Sequence, residues 1–487
     1  MKKRSLGFNT FLNGIRSVLN IIFPLITFPY VSRILSVKGM GIYNFSNTYV
    51  GYFILLAGLG VSTYAVREGT KYRDKKNKLE QFSSQVFTIN IYSTILSYLL
   101  LIISLIIFKN LNNYVSGILV FSIQIVFTTI GTEWIYTIYE DFTYITIRSV
   151  IFQFLSIILL FLLVKRPQDY LWYAAITVFS SVGANIFNFL HARSFLKITF
   201  VKNANFKLHL KPILIIFASS VATTLYVSSD MTILGLLKSD YEVGIYSVSV
   251  KIYTIITGLI NGLLTATIPR LSMLFGQGRK KEYNSILSKL INSISILIIP
   301  AATGVIMLSK EVVLLVAGKK YLASIFSLQI IVLTLLFSLF SVILTYCVLI
   351  PAKREKEVLK NTIIVGILNL IFNFILIPIW SYDGAALTTV LSEIIIVVLD
   401  AKSAKDLIKY IMFSKDFLHN ILASLIGSSG IVLICYLCDM SYSSLVIKTL
   451  MSIGLSVPLY VAILVFLQNS VIMEWIKILR TRIRDKF

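Results

Sequence analysis

Two ionisable side chains, Asp230 and Lys251, lie inside the two apolar spans that run from Ile213 to Arg270. Charges at membrane depth are costly, so such residues by default belong to a functional site and have a partner. Asp230 lies about 7 residues before Lys238 and Lys251 about 7 residues after Gly244, which places both about 11 Å from the same membrane face. We therefore expect an ion pair between neighbouring helices. The pair is either structural or functional; in the functional case Lys251 contacts an anionic substrate, or Asp230 binds a proton or a sodium ion.

Polar residues accompany these charges at helical spacing. In the first apolar span, Asn13, Arg16 and Asn20 are separated by 3 and 4 residues, which places them on one helix face. Thr48 in the second span and Lys251 in the eighth lie on similar polar faces. Hydrogen bonds between helices would explain the hydroxyl and amide groups. A water-filled cavity between two halves of the chain also explains the charges, and we predict that cavity.

Further charged residues within the spans are candidate site residues. The guanidinium of Arg16 has the planar donor geometry that suits phosphate oxygens. Arg16, Arg33 and Arg148 are therefore candidate contacts for an anionic substrate, although an arginine near a helix end also reaches lipid headgroups by extending its side chain. Glu133 and Glu393 are predicted to be buried acids that act in ion coupling or gating.

No catalytic or metal-binding pattern accompanies these residues. The sequence lacks a Walker motif, His-Glu-x-x-His and Gly-x-Ser-x-Gly. The Cys-x-x-Cys spacing of Cys435 and Cys438 has neither a second pair for zinc nor a redox context. We expect no cofactor, no metal and no enzymatic activity, and coupling to protons or sodium stays open.

The elements that hold these residues are membrane helices. Of the 487 residues, 57% are hydrophobic and 14% are charged, with a mean hydropathy of +0.84, so the charged residues cannot cover a soluble domain of this size. Apolar runs long enough to cross a hydrocarbon core of about 30 Å recur throughout. We predict an all-α integral membrane protein with about fourteen spans, approximately at 10–34, 43–66, 84–108, 114–138, 146–164, 170–192, 212–237, 243–268, 286–308, 322–350, 360–379, 384–401, 417–438 and 444–468.

The distribution of lysine and arginine orients these spans. With the N-terminus in the cytoplasm, 31 basic residues fall in the inner loops and tails and 8 in the outer loops. This asymmetry follows the positive-inside rule, so the net charge of +23 indicates membrane topology rather than nucleic-acid binding. Both termini are predicted to lie in the cytoplasm.

An internal repeat relates two parts of the chain. Gly41-Ile42-Tyr43 recurs as Gly244-Ile245-Tyr246 at an offset of 203 residues. The same offset relates Ser46 to Ser249, Arg67 to Arg270 and Lys78 to Lys281. We predict two pseudo-symmetric six-helix lobes, at residues 1–200 and 201–410. Residues 411–487 would then contain helices 13 and 14 and a basic cytoplasmic tail.

Three stretches resemble one protein family. They are FPLITFPYVSRILSVKGMGIYNFSNT at 23–48 with YAVREGTKYRDKK at 64–76, the stretch from Asp230 to Arg270, and Gly384 to Glu393. They are similar to signatures of the bacterial polysaccharide repeat-unit flippases of the Wzx type, which serve O-antigen and capsule synthesis. These belong to the MATE-like multidrug/oligosaccharidyl-lipid/polysaccharide exporter superfamily.

The resemblance implies a V-shaped pair of six-helix lobes around a cationic cavity in the bacterial cytoplasmic membrane. Such proteins move an undecaprenyl-pyrophosphate-linked oligosaccharide from the inner to the outer leaflet by alternating access. They serve the same pathway as polysaccharide polymerases and glycosyltransferases, which are expected partners. The alternative cargoes are teichoic-acid and peptidoglycan-precursor lipids. A cation-coupled multidrug exporter is disfavoured by the positive charge of Arg16, and a polymerase or glycosyltransferase would need larger loops.

Overall fold

The computed structural model describes residues 22–202, 205–412 and 414–484. This described part is almost entirely helical and contains no β-strand, which confirms the predicted all-α class. The described residues form two compact units, one made of those up to 247 with 373–382 and the other of 248–372 with those from 383 onward. These units are defined by spatial contacts. The predicted lobes at 1–200 and 201–410 are defined by the sequence repeat and stay a prediction.

The first unit begins with helices that carry the N-terminal copy of the repeat. Helix α2 starts at Val37 because the Ser36 hydroxyl accepts a hydrogen bond from the Gly39 amide at 3.0 Å, which satisfies one of the free amides of the first turn. The described helices of this unit are α1 (Ile22–Ile34), α2 (Val37–Gly58), α3 (Val61–Gly69), α4 (Lys76–Ile107), α5 (Val115–Gly131), α6 (Glu133–Tyr139), α7 (Phe142–Leu163), α8 (Tyr170–Val182), α9 (Asn185–Phe195), α10 (Phe206–Leu237) and the first eight residues of α11 (Asp240–Gly276).

The second unit contains the rest of α11 and the helices that follow it. They are α12 (Lys280–Met307), α13 (Ser309–Val316), α14 (Ser324–Val332), α15 (Leu335–Val342), a π-helix (Ile343–Leu349), α16 (Glu355–Ser403), α17 (Lys405–Met412), α18 (Lys415–Ser441), α19 (Leu445–Phe466) and α20 (Ser470–Arg484). Residues 373–382, which lie within α16, belong to the first unit.

Twelve helical segments of the described chain are long and apolar enough to cross a membrane. One of them, α16, covers the predicted spans 360–379 and 384–401, and Ser381 with φ 51° and ψ −129° kinks the helix between them. Of the predicted first span, only α1 lies within the described residues. The multi-pass membrane class is confirmed, and the predicted number of about fourteen spans is approximate.

Three predicted spans of the first unit are interrupted by a break in the helix. Helices α2 and α3 are separated at Leu59 and Gly60, which have φ values of 46° and 74°. Helices α5 and α6 are separated at Thr132 with φ 42°, and α8 and α9 at Gly183 and Ala184. At the first two breaks a left-handed residue ends the regular backbone hydrogen bonding, and glycine at 60 adopts this conformation without steric cost.

Side chains from neighbouring helices satisfy carbonyl groups at these breaks. The carbonyl of Ala57 accepts hydrogen bonds from Asn90 Nδ2 at 2.7 Å and from Ser93 Oγ at 2.6 Å. The carbonyl of Phe127 accepts one from Asn185 Nδ2 at 3.0 Å. Irregular backbone is tolerated at membrane depth only when its polar groups find such partners. The asparagines therefore make the breaks possible.

The short helices beyond the breaks share one apolar core. Val61 of α3, Phe82 of α4, Trp134 of α6 and Ala192 of α9 are all buried in it. Apolar burial of this kind contributes roughly 25 cal/mol per Å² of surface removed from solvent. The core therefore holds three helices together that are too short to be stable alone.

Helices α18 and α19, the predicted spans 13 and 14, pack against α12 through polar contacts. Asn420 Nδ2 donates to Asn292 Oδ1 at 2.8 Å, and Asn469 Nδ2 donates to Asn420 Oδ1 at 2.9 Å. The Tyr460 hydroxyl donates to the carbonyl of Ile296 at 2.8 Å. Hydrogen bonds between membrane helices fix their register, so this segment is firmly attached to the second unit.

Candidate functional site

Asp230 is buried near the end of α10, with 8% of its surface exposed. Its Oδ2 accepts a hydrogen bond from the Tyr246 hydroxyl at 2.5 Å, and its Oδ1 accepts one from the Met231 amide at 2.8 Å. Tyr246 belongs to the first turns of α11 and is completely buried. A phenol that donates to a carboxylate stabilises its charge without adding a cation. Asp230 therefore has two hydrogen-bond donors at the depth where a functional site was predicted.

The turn of α10 around Asp230 is lined with further polar contacts inside the first unit. The Tyr52 hydroxyl donates to the carbonyl of Ser228 at 2.9 Å and lies 3.0 Å from the Thr232 hydroxyl. Asn373 Nδ2 donates to the Ser229 hydroxyl at 3.3 Å. Side chains from α2 and from residues 373–382 therefore converge on this turn of α10. Hydrogen-bonded residues so close to an intramembrane acid are typical of a functional site.

Lys251 lies on α11 in the second unit, whereas Asp230 lies in the first. The predicted ion pair between them therefore stays a prediction. Lys251 is half-buried, and its carbonyl accepts a hydrogen bond from the Thr254 hydroxyl at 2.9 Å. An ammonium at this depth is a point charge that suits an anionic group.

Hydroxyl groups on α10 and α11 bond to carbonyl groups of their own helices. Thr223 donates to the carbonyl of Ser219 at 3.0 Å, and Ser247 donates to the carbonyl of Gly244 at 2.7 Å. Such bonds satisfy the donor of each hydroxyl and leave its oxygen able to accept. Thr223 is exposed. The predicted water-filled cavity between the two halves of the chain stays a prediction.

Arg148 and Glu133, both predicted site residues, form an ion pair in the first unit. The distance from Arg148 Nη2 to Glu133 Oε1 is 2.9 Å, and their side chains are 10% and 41% exposed. The prediction that Glu133 is buried is therefore wrong, because it occupies the first position of α6 directly after the break at Thr132. The rings of Tyr144 and His191 stack with their centroids 4.2 Å apart. Nε and Nη1 of Arg148 are buried and have no hydrogen-bond partner in the described chain.

The other predicted site residues are spread over the chain. Thr48 is half-buried on α2, and Arg33 is exposed at the end of α1. Glu393 on α16 is half-buried rather than fully buried as predicted. Glu393 interacts electrostatically with the Tyr253 hydroxyl in the second unit. The remaining three, Asn13, Arg16 and Asn20, lie outside the described residues.

Gly41 of α2 and Gly244 of α11 make a reciprocal close contact within the first unit. A Cβ atom on Gly41 would collide with the carbonyl oxygen of Asp240, and one on Gly244 would collide with the carbonyl oxygen of Val37. The repeat offset of 203 residues relates Val37 to Asp240 and Gly41 to Gly244. The two helices therefore touch backbone to backbone, with approximate two-fold symmetry, at the end predicted to face outward.

A second pair of repeat-related residues makes equivalent contacts. The Ser46 hydroxyl donates to the carbonyl of Tyr114, directly before α5, at 3.4 Å. The Ser249 hydroxyl donates to the carbonyl of Ser324, at the start of α14, at 3.1 Å. Both serines are completely buried. Sequence reasoning paired these serines but did not assign them a role.

Sequence reasoning missed two buried acids of the second unit. Asp400, which is 1% exposed, lies at the end of the predicted twelfth span, where the rarity of intramembrane acids could have revealed it. Glu311, which is 4% exposed, pairs with Lys448 at 2.5 Å. Glu311 falls between two predicted spans, so its burial had no sequence signal.

The sequence matches the profiles of two protein families. The profile of a family described as "Polysaccharide biosynthesis protein" matches residues 6–275, more than half of the chain. The chain belongs to this family. The profile of the MatE family matches residues 215–375, which agrees with a MATE-like fold in that part of the chain.

Curated relatives of this family member are named as transporters. A putative O-antigen transporter of Escherichia coli K12 is 25% identical over 403 residues, which cover 81% of this chain and 95% of that protein. A similar transporter of Shigella dysenteriae is 24% identical and covers 79% and 96%. A probable low-salt glycan biosynthesis flippase, Agl15 of Haloferax volcanii, is 29% identical over 38% of this chain and 39% of its own length.

Solved structures support the fold. A structure of the lipid II flippase MurJ in an inward closed conformation matches with a TM-score of 0.76, covering 95% of this chain and 99% of that one at 17% identity. A structure of MATE in the bent conformation matches with a TM-score of 0.51, covering 84% and 99% at 16% identity. At these identities the likeness shows the fold alone, which confirms the predicted MATE-like architecture.

Proposed function

We propose that this chain moves an undecaprenyl-pyrophosphate-linked oligosaccharide repeat unit from the inner to the outer leaflet by alternating access. The observation that carries this proposal is the match to O-antigen transporters over 95% and 96% of their length, in a family of polysaccharide biosynthesis proteins. The multi-pass helical fold fits a transporter rather than an enzyme. The repeat unit would serve a capsular or another cell-surface polysaccharide.

Cargo recognition is proposed to use the cationic residues of the spans. A pyrophosphate is anionic, so Lys251, Arg16 and Arg148 have the sign of charge that it requires. Arg148 offers guanidinium nitrogens that are buried and have no partner in the described chain. The hydroxyl and amide groups of the polar faces, with Thr48 among them, would hydrogen-bond the sugar residues.

Asp230, Glu133 and Glu393 are proposed to act in ion coupling or gating. Asp230 suits this role best, because it is buried and accepts hydrogen bonds from Tyr246 and Met231. The coupling ion would be a proton or sodium, and no other cofactor is invoked. The protein would lie in the bacterial cytoplasmic membrane with both termini in the cytoplasm, where polymerases and glycosyltransferases of the pathway are its partners.

The experiment that tests this function follows the lipid-linked intermediate in cells. Deleting the gene should abolish the surface glycan and cause lipid-linked repeat units to accumulate, and the wild-type chain should reverse both effects. Lys251→Ala and Lys251→Glu should fail to restore the glycan, whereas Lys251→Arg should restore part of it. Lys109→Ala, at an exposed position between α4 and α5, is the matched control and should behave as wild type.

Two results would contradict the proposal. If the deletion strain still made the surface glycan and accumulated no lipid-linked intermediate, the chain would not be its flippase. If Lys251→Glu restored the glycan at wild-type protein levels, Lys251 would have no role in cargo binding.

A further inference from the structure

Asp400 forms a buried polar cluster with two other side chains of the second unit. The carboxylate is only 1% exposed. Its Oδ1 accepts a hydrogen bond from Asn361 Nδ2 at 2.8 Å, and its Oδ2 accepts one from Thr345 Oγ1 at 3.0 Å. Asn361 Nδ2 also contacts the Ser403 hydroxyl at 3.2 Å. No part of this cluster belongs to the predicted cargo contacts.

Three segments of the chain meet at this cluster. Thr345 belongs to the π-helix Ile343–Leu349, Asn361 lies in the second turn of α16, and Asp400 lies in the last turn of the same helix. A π-helical segment is rare and occurs frequently at functional sites. The cluster therefore joins the ends of the predicted spans 10, 11 and 12 on the side predicted to be cytoplasmic.

The donors to Asp400 are neutral. The nearby cation Arg354 is engaged elsewhere, since its Nη1 donates to the carbonyl of Ser403 at 2.5 Å and its Nη2 lies 2.6 Å from Asp406. Lys360 and Lys402 on α16 are exposed. The other titratable group of the π-helix facing the unit's interior is the buried Cys347 thiol. Within the described part of the chain, Asp400 therefore receives hydrogen bonds from an amide and a hydroxyl and forms no salt bridge.

A carboxylate in such a place is costly. Removing an ionised carboxylate from water costs several kcal/mol unless a cation compensates it. Asp400 also lies at the C-terminal end of α16, where the helix dipole is negative and disfavours an anion. A bound proton removes both costs.

The hydrogen bonds accommodate either protonation state without moving heavy atoms. A hydroxyl both donates and accepts, so a protonated Asp400 donates to Thr345 Oγ1 while Asn361 continues to donate to the other oxygen. The distances of 2.8 and 3.0 Å are direct hydrogen bonds and leave no room for an interposed metal ion, which would need several oxygen ligands. The ligand that fits is a proton.

We propose that Asp400, with Thr345 and Asn361, forms a proton-binding site at the cytoplasmic ends of spans 10 to 12. The site is distinct from Asp230 and does not depend on the identity of the cargo. Binding of a proton changes the charge at the point where the π-helix meets the ends of α16.

The direct test is infrared difference spectroscopy of the purified full-length protein in membranes. On acidification, the wild type should gain the stretching band of a protonated carboxyl group, and Asp400→Asn should lose that band while it keeps the shape of the side chain. Asp406→Asn, whose carboxylate is 61% exposed, is the control and should retain the band. An acid-induced spectrum that is identical in the wild type and in Asp400→Asn would overturn the proposal.

A second variant keeps the proposal testable if Asp400→Asn fails to fold. Thr345→Val preserves the side-chain shape and removes a donor that favours the charged carboxylate. The midpoint of the carboxyl band should therefore move to higher pH by about one unit. An unchanged midpoint would contradict the proposed role of Thr345. Neither measurement requires transport, so failure of this site and failure of the flippase function are distinguishable.

Discussion

Helices α2 and α11 are related by the 203-residue offset, yet they differ in their second halves. Helix α2 ends at Gly58 and the chain resumes as α3 at Val61, whereas α11 runs unbroken from Asp240 to Gly276. The break at Leu59 corresponds to Gly262, inside α11. Near their starts, in contrast, both helices share the reciprocal glycine contact and the buried serines. The repeat therefore preserves the predicted outer halves of these helices and varies the predicted inner halves.

The charges differ between the copies in the same way. Thr27 of α1 corresponds to Asp230, but its hydroxyl donates to the carbonyl of Phe23 in its own helix at 2.9 Å. Tyr43 corresponds to Tyr246, but its hydroxyl contacts Thr177 at 3.0 Å rather than an acid. One copy thus satisfies these positions with neutral partners, and the other uses a carboxylate. The two copies of the repeat therefore differ in charge at positions that the same 203-residue offset relates.

The largest expected effect comes from disrupting the shared contact. Gly41→Ala and Gly244→Ala each place a methyl group against a backbone carbonyl that cannot rotate away. Such overpacking costs about 1–3 kcal/mol, and the double variant should abolish transport. The thermal unfolding midpoint in detergent and the surface glycan in cells measure these effects.

Gly51→Ala is the matched control for this prediction. Gly51 lies on the same helix as Gly41 and has no neighbour within 4 Å of an added Cβ. Alanine is more favourable than glycine in a helix by about 1 kcal/mol, so this variant should be neutral or stabilising. If Gly41→Ala behaved like Gly51→Ala, the glycine contact would have no structural role.

The second prediction compares the two repeat-related tyrosines. Tyr246→Phe removes a donor from the buried Asp230 carboxylate and should cost about 1.5–3 kcal/mol of unfolding free energy. Tyr43→Phe removes a bond between neutral groups and should cost about 0.5–1.5 kcal/mol. Denaturation of both purified variants measures the difference. Equal effects would argue against a charged Asp230.

The third prediction concerns the break at Leu59, which occurs in one copy only. In the double variant Asn90→Ala, Ser93→Ala, the buried Ala57 carbonyl loses both side-chain donors and stability should fall by about 1–3 kcal/mol. Asn90→Ala alone should cost less, because Ser93 still donates. Ser181→Ala is the control, because the Ser181 hydroxyl donates to the carbonyl of Val178 in its own helix. An unaffected double variant would mean that water satisfies the carbonyl.

The smallest effect is expected at the exposed ion pair between Arg354 and Asp406. The Arg354 guanidinium holds the pKa of Asp406 below its usual value. The pair therefore stabilises the fold above the unfolded pKa of about 3.9 and loses that contribution as the pH falls through the lower folded pKa. Asp406→Asn should lower stability by less than about 1 kcal/mol at neutral pH and by nothing in strong acid. A larger deficit in acid than at neutral pH would contradict this sign.

Much of the fold could be predicted from the sequence, because apolar runs indicate membrane-spanning helices and basic loops indicate their orientation. The repeat was visible in Gly41 and Gly244, since the contact they form tolerates no side chain. The breaks at Leu59 and Thr132 were not predicted, because both positions lie in apolar runs and depend on asparagines distant in sequence. Neither was the Tyr246 partner of Asp230, because hydropathy does not show which side chains share a helix interface.

The central claim is that the chain flips lipid-linked glycans, and reconstitution tests it most directly. The purified protein is placed in vesicles with a fluorescent polyprenyl-pyrophosphate-linked oligosaccharide, and a membrane-impermeant glycosidase digests the sugar chains on the outer leaflet. We predict that the wild type makes nearly all of the cargo accessible and that Lys251→Glu leaves the inner-leaflet pool protected, as in protein-free vesicles. A wild-type protein that left that pool protected would contradict the account.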